Sequence, residues 1–349
     1  MKAGFYSPYL DTFGGGERYI LTLASHLSQN NDVDIFWDDP QIKAPLARFL
    51  KIDLNRTKFT NDIFKASSFK KALATKKYDL IFVLSDGSVP LSFAKKNILH
   101  FQVPFVFEKF PKTINLKLRK YNNIVTNSNF TKTFIDKSFN VNSQVIYPPV
   151  DLKSLYCSQK QKVILTVGRF SQNQLHPKRQ EVLIEVFKEI YKKNKEWKFY
   201  LIGQARKEDQ KYLRHLRKIC SGYAIKIMDN LPQEQLRKMY SIASIYWHAT
   251  GFGDDEIKNP QRMEHFGIAT VEASASGCVP VVIGKGGQKE IIENDKNGIL
   301  WTTKTQLFEQ TQDLINNNQK MSKLSDAAVK NSKRFSQDIF FKQYEKIIY

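Results

Sequence analysis

Two glutamates stand eight residues apart in Glu264-His265-Phe266-Gly267-Ile268-Ala269-Thr270-Val271-Glu272. Carboxylates so placed suit sugar hydroxyls, which they hold by accepting charge-assisted hydrogen bonds. The Phe-Gly pair reads as a loop-to-helix turn, and the spacing predicts a helix from near Gly267 to Ser276 with Gly277 as its C-terminal cap. The first N–H groups of that helix would suit a diphosphate, with Glu264 on one side and Glu272 about one and a half turns along. A helix with an acidic first turn and an exposed glutamate fits the same spacing. A second candidate is Gly14-Gly15-Gly16, between a strand-like and a helix-like segment, where phosphate could approach backbone N–H groups. It is neither G-x-G-x-x-G nor followed by a GKS/T signature, so a tight turn that needs glycine is an equal reading. His100 closes the apolar run NILH, where a lone histidine is commonly structural.

These residues need elements to place them. Residues 2–9 read as a strand, and 18–27 carry apolar side chains at helical spacing. Short apolar runs recur at 33–37, 78–84, 97–101, 122–126 and 144–147, with helical segments between. Pro148 and Pro149 then interrupt the chain, and the polar stretch 158–162 reads as linker. Alternation restarts with strands at 163–170, 197–203, 223–229, 244–249 and 279–284, and a helix near 180–191. The pattern predicts two α/β units with parallel sheets covered on both faces. The boundaries read as 1–155, 156–334 and a final helix 335–349 that places Phe340, Phe341, Tyr344 and Ile347 on one face.

The chain has 349 residues, 42% hydrophobic and 13% aromatic, which excludes a disordered acidic chain. Fifty-four Lys and Arg against thirty-four Asp and Glu leave a formal +20, so an anionic partner is expected: nucleic acid, lipid headgroups or a phosphorylated substrate. Cys157, Cys220 and Cys278 are widely spaced and give neither a disulfide framework nor a zinc pattern. No run of about eighteen apolar residues occurs, and residues 1–18 do not resemble a signal peptide. The expectation is a cytoplasmic protein, at most peripheral on the inner face of a membrane.

EHFGIATVE resembles the Glu-x7-Glu motif of the family 4 retaining glycosyltransferases, enzymes of the GT-B fold. FGGGERYILTLASHL resembles that family's N-terminal glycine turn and helix. TNSNFTKTFI and VIYPPVD resemble the end of its first domain, VGRFSQNQLHPKRQEVLIEVF the start of its second, and ASGCVPVVIGKGGQKEIIENDKNGILW its later strand and loop. The order and spacing cover most of the chain.

The resemblance implies two Rossmann-like domains facing a cleft, the first on the acceptor side and the second binding the nucleotide sugar, with the last helix returning to the first. It implies Arg169 and Lys178 on the donor diphosphate, where fixed cations stabilise the leaving group without a metal. Residues 171–177 lengthen the loop before Lys178, which puts Arg179 beside it as a neighbouring choice. Glu272 corresponds to the glutamate on the ribose and Glu264 to the one near the transferred sugar. The backbone of Phe266, Gly267 and Ile268 corresponds to groups on phosphate or sugar hydroxyls, Gly14 and Gly15 to the glycines that close over the diphosphate, and His100 to a histidine beside the donor sugar. The implied reaction is front-face transfer of a hexosyl unit, mannosyl-like in the region 247–267, from a GDP- or UDP-sugar to a glycan or lipid-linked acceptor. No metal and no permanently bound cofactor is implied. A GT-B-shaped epimerase or phosphorylase, the latter needing pyridoxal phosphate, is the enzymatic alternative, and a basic nucleic-acid-binding protein the alternative of another class.

Asp254, Asp255 and Glu256 read as a solvated or lid loop rather than a metal site. Two basic segments remain. Residues 58–77 carry Lys58, Lys65, Lys70, Lys71, Lys76 and Lys77 against Asp62. Residues 105–121 set Lys109, Lys112, Lys117, Arg119 and Lys120 among Phe105, Phe107, Phe110, Leu116 and Leu118. They suit either adsorption to an anionic bilayer or a solvated face over ordinary core.

Overall fold

The computed structural model describes residues 1–107 and 112–349; Glu108, Lys109 and Phe110 of the second basic segment lie outside them. The chain forms two compact units, Met1–Pro149 with Gln337–Tyr349, and Val150–Ser336.

The first unit holds a seven-stranded parallel sheet: β1 (Lys2–Tyr6), β2 (Asp32–Phe36), β3 (Thr57–Thr60), β4 (Leu80–Ser85), β5 (Lys96–Phe101), β6 (Asn123–Thr126) and β7 (Gln144–Val145). Their order is β3-β2-β1-β4-β5-β6-β7. Its helices are α1 (Gly15–Leu27), α2 (Lys43–Leu50), α3 (Ser68–Thr75), α4 (Lys112–Leu118) and α5 (Asn129–Phe139). Both sheet faces are covered, so β4 is buried throughout and reads as a continuous apolar run. On β5, Ile98 packs under α1 while Leu99 and Phe101 enter the core of the opposite face.

The second unit holds β8 (Gln161–Val167), β9 (Lys198–Gly203), β10 (Ile225–Asp229), β11 (Ala243–His248), β12 (Val279–Ile283) and β13 (Ile299–Trp301). They are parallel, in the order β10-β9-β8-β11-β12-β13. Helices α6 (Gln180–Lys193), α7 (Gln210–Cys220), α8 (Gln233–Ile242), α9 (Ile268–Ala275), α10 (Gln288–Ile291), α11 (Lys304–Asn316) and α12 (Asn318–Ser332) cover it. The polar stretch 158–162 belongs to this unit rather than to a free linker. Ser158 Oγ meets Ser241 Oγ at 3.1 Å, and Gln161 opens β8. Val150 is already part of it, donating its N–H to Phe335 O at 3.0 Å.

A last helix, α13 (Gln337–Ile348), belongs to the first unit and buries Phe340, Tyr344 and Ile348 in the core under α1. Tyr19 donates to Ile146 O at 2.9 Å, and its hydroxyl also meets that of Tyr344 at 2.7 Å.

Candidate functional site

The second unit brings Lys178 to Glu264 just ahead of α9, the helix that Gly267 and Ile268 open. Gly267 takes φ 119°, a left-handed value that favours glycine, and a Cβ there would stand 2.5 Å from Gln288 Nε2. The chain turns there from Glu264 into α9, whose first N–H groups have no acceptor in their own helix. The helix ends where the sequence places its stop. Gly277 has φ 78°, its N–H donates to Ser274 O, and that of Cys278 donates to Ala273 O, each at 3.0 Å.

Glu264 is held by one cation and one imidazole. Its Oε2 accepts from Lys178 Nζ at 2.6 Å and from His248 Nε2 at 2.9 Å. Burial by itself would raise the Glu264 pKa. The Lys178 ammonium and the His248 hydrogen bond overcome it and hold the carboxyl well below its ordinary range. His248 arrives there by strand alternation: Ile245 and Trp247 of β11 enter one core, so Tyr246 and His248 point the other way. Burial lowers the His248 pKa, which keeps the imidazole neutral. His176, with its ring centroid 5.0 Å from that of His265, is lowered strongly as well, by burial and then by Lys178.

Lys178 and Arg179 diverge because Arg179 adopts the left-handed conformation, φ 53°, ahead of α6. Lys178 thereby turns to Glu264, while Arg179 Nη2 pairs with Asp254 Oδ2 at 2.6 Å. Arg262 Nε lies 2.7 Å from Asp254 Oδ1, and Lys289 reaches Glu256 Oε1 at the same distance. Asp254 and Glu256 thus clasp loop 249–263 to cations, while Asp255 stays exposed and accepts from the Ile257 and Lys258 N–H groups at 2.8 and 3.1 Å. Arg169 differs: among the described residues its half-buried guanidinium makes no hydrogen bond or ion pair. Glu272, the fifth residue of α9, accepts from the buried Tyr240 hydroxyl at 3.1 Å.

The first unit holds the other candidates. Gly14 precedes α1, and its N–H donates to Glu17 Oε2 at 2.5 Å, so Glu17 braces the glycine turn from within the helix. His100 does not face outward from the strand end. It shares the Ile98 side of β5 and is fully buried, stacked on Tyr19 with ring centroids 3.9 Å apart. Neither ring nitrogen has a partner, and burial pushes its pKa down to about 3. The strand continues through Phe101, which is why the imidazole lies under α1 instead of at an edge.

Two family models match end to end: glycosyltransferase family 4 over residues 13–154 and glycosyl transferases group 1 over 152–333. The chain belongs to the group 1 glycosyltransferases. The family 4 match spans the glycine turn, and the group 1 match spans the Glu264–Glu272 segment. This group 1 chain is 25% identical over 229 residues to a GDP-Man:Man(3)GlcNAc(2)-PP-Dol alpha-1,2-mannosyltransferase of Dictyostelium discoideum, covering 61% of this chain and 43% of that protein. It is 31% identical over 172 residues to the enzyme of that name from Kluyveromyces lactis, 46% of this chain and 29% of that protein. It therefore spans less than half the length of these curated relatives. Among solved structures, Anabaena HepE in complex with UDP-glucose superposes with a TM-score of 0.74 at 19% identity, over 100% of this chain and 99% of that one. Sucrose-phosphate synthase from Thermosynechococcus elongatus gives 0.72 at 14% identity, over 99% and 98%. These likenesses establish the GT-B fold.

The sequence reading missed His248, His176, Tyr240 and Glu17. The alternation in SIYWH could have flagged His248, as a polar residue opposite the Ile245–Trp247 face. Tyr240 carried no comparable signal, because its partner Glu272 lies far along the chain.

Proposed function

We propose that this chain is a retaining, metal-independent glycosyltransferase that moves a hexosyl unit, mannosyl foremost, from a GDP- or UDP-sugar to a glycan or lipid-linked acceptor. The observation that carries this reading is the bond from Lys178 to Glu264 just ahead of α9, beside His176, which feels the charges of Lys178, Glu264 and Arg169 together. The relatives named for GDP-mannose and the HepE complex with UDP-glucose support it.

In the proposed roles, the second unit holds the nucleotide sugar and the first receives the acceptor. Arg169 and Lys178 neutralise the diphosphate, whose charge grows as the bond from the anomeric carbon to the phosphate oxygen breaks. The N–H groups of Gly267 and Ile268, with the Phe266 backbone, meet phosphate or sugar oxygens. Glu264 accepts from a hydroxyl of the transferred sugar and Glu272 from the ribose. The acceptor oxygen attacks the same face that the diphosphate leaves, and its proton passes to the departing phosphate oxygen. Gly14 and Gly15 offer the α1 N-terminus as a further anion-receptive element. His100 enters this proposal as support beneath α1, since its ring is enclosed.

A membrane-facing role of the first unit accounts for one surface. Helix α3 exposes Phe69 and Leu73, one turn apart, beside Lys70. The Phe93 N–H donates to Thr75 Oγ1 at 3.0 Å, and Lys120 Nζ lies 5.1 Å from the centre of the exposed Phe93 ring. Leu116 of α4 is exposed as well. Apolar side chains among lysines suit an anionic bilayer, as a peripheral enzyme on the inner face would need. No helix among the described residues is long and apolar enough to cross a membrane.

Incubation with UDP-, GDP- and ADP-sugars, scoring hydrolysis and transfer with the anomeric configuration of the product, tests the proposal. Transfer with retention supports it. Absence of nucleotide binding by calorimetry, together with complete inactivity, would overturn it.

A further inference from the structure

We propose that His248 is a positioning residue for Glu264, fixing which carboxylate oxygen is offered to the transferred sugar. The inference rests on the nucleotide-sugar reading above. Both donors that reach Glu264 land on the same atom: Lys178 Nζ and His248 Nε2 each bond Oε2. Among the described residues nothing bonds Oε1, and about 15% of the side-chain surface of Glu264 stays accessible. The carboxylate is therefore turned, with one oxygen committed inward and the other presented outward.

The two donors are not equivalent. Lys178 is a point charge on a flexible stem, suited to move toward a diphosphate when one arrives. His248 sits at the end of β11 with 5% of its side chain exposed, so strand and burial fix its ring. Its acceptor is a carboxylate, so Nε2 carries the proton. Nδ1 is buried without a partner, which suits a bare lone pair and a neutral ring. When Lys178 turns to the diphosphate, His248 still holds Oε2, and Oε1 stays aimed at the sugar. A second lysine there would add charge and compete for the phosphate, whereas a neutral ring donates one proton in a fixed direction.

Three variants separate positioning from packing. The amide of His248→Gln reaches as far as Nε2 and can still donate to Glu264. That of His248→Asn reaches only as far as Nδ1. His248→Leu removes the donor altogether. Calorimetry with UDP and GDP, and with UDP-glucose and GDP-mannose, gives affinities with and without the sugar. The His248→Leu and His248→Asn variants should bind the nucleoside diphosphate within about twofold of the parent. They should lose at least tenfold in nucleotide-sugar affinity and in kcat, and His248→Gln should recover most of both. Should His248→Leu fail to fold, the contrast between His248→Asn and His248→Gln decides. Equal losses for both ligand types, no loss at all, or a His248→Gln variant no better than His248→Asn would overturn the role of His248 while leaving the transferase reading intact. A parent protein that binds none of the four ligands would overturn that reading, and this inference with it.

Discussion

The stem of Lys178 lies against the backbone of Gly168, so close that a Cβ on Gly168 would stand 2.8 Å from Lys178 Cγ and 3.1 Å from Cδ. The glycine thus opens the path along which Lys178 reaches Glu264 from another part of the chain. Gly168→Ala should push the stem aside and weaken UDP or GDP binding about tenfold, roughly 1.4 kcal/mol. Lys178→Ala should do the same by calorimetry. Parent-like affinity in Gly168→Ala alongside a loss in Lys178→Ala would show that the contact does not set the position of the ammonium.

Arg169 makes no ion pair among the described residues, so removing it breaks none. Arg169→Ala should leave the melting temperature within about two degrees, since surface changes away from such features fall within about 0.5 kcal/mol. Nucleotide affinity should fall about tenfold. A large drop in melting temperature would mean that the guanidinium serves folding instead.

The two glutamates should fail differently. Glu264→Gln keeps the shape but leaves Lys178 without its counter-charge, and kcat should fall about a hundredfold, the scale of one lost electrostatic contact in a closed site. Glu272→Ala should weaken nucleotide binding more than turnover. It also strips the partner from a buried Tyr240 hydroxyl, at a cost of about 1–3 kcal/mol in stability. Steady-state kinetics beside thermal unfolding would show both patterns. The same profile in both variants would refute the division of roles.

His100 supplies a pH test. Its folded pKa, about 3, lies below an unfolded value near 6.5. Between those values the unfolded chain binds more protons than the folded one, so stability falls as the pH drops through that window. The contribution is roughly 1.4 kcal/mol per pH unit. His100→Phe should keep the stack on Tyr19, retain activity within about twofold at pH 7.5 and lose less stability between pH 7 and pH 5 than the parent. Activity lost with the fold intact would place the imidazole on substrate after all.

The apolar, lysine-flanked face around α3 predicts binding to vesicles that contain an anionic phospholipid, weakened by salt and absent with neutral lipid. A Phe69→Ser, Leu73→Ser double variant should reduce flotation at least fivefold without changing activity on a soluble acceptor. Unchanged flotation would remove this face from the membrane model.

Much of the architecture was legible because buried parallel strands write themselves as apolar runs, and LIFVLS or VPVVI admits few other readings. The strand Thr57–Thr60 was not legible, since an edge strand carrying Lys58 has neither the run nor a clean alternation. The ends of α9 could be read from Gly267 and Gly277, residues that punctuate backbone. What joins Glu264 to Lys178 and His248 could not, because sequence separation conceals which face of a distant strand will arrive. His100 shows the reverse limit. Its place at a strand end was visible, but the depth of its burial depends on Tyr19 of α1, which stacks over it from about eighty residues earlier.

The hydroxyl contact between Tyr19 and Tyr344 has a bearing on synthesis. The first unit needs residues 337–348 to finish its own core, whereas the second is encoded in one uninterrupted stretch. A ribosome delivers the second unit whole while the first still lacks a wall, and Tyr19 and Phe82 wait partly uncovered until α13 emerges. Folding of the first-made sheet is therefore completed last, and removal of that short helix should injure the first unit while sparing the second.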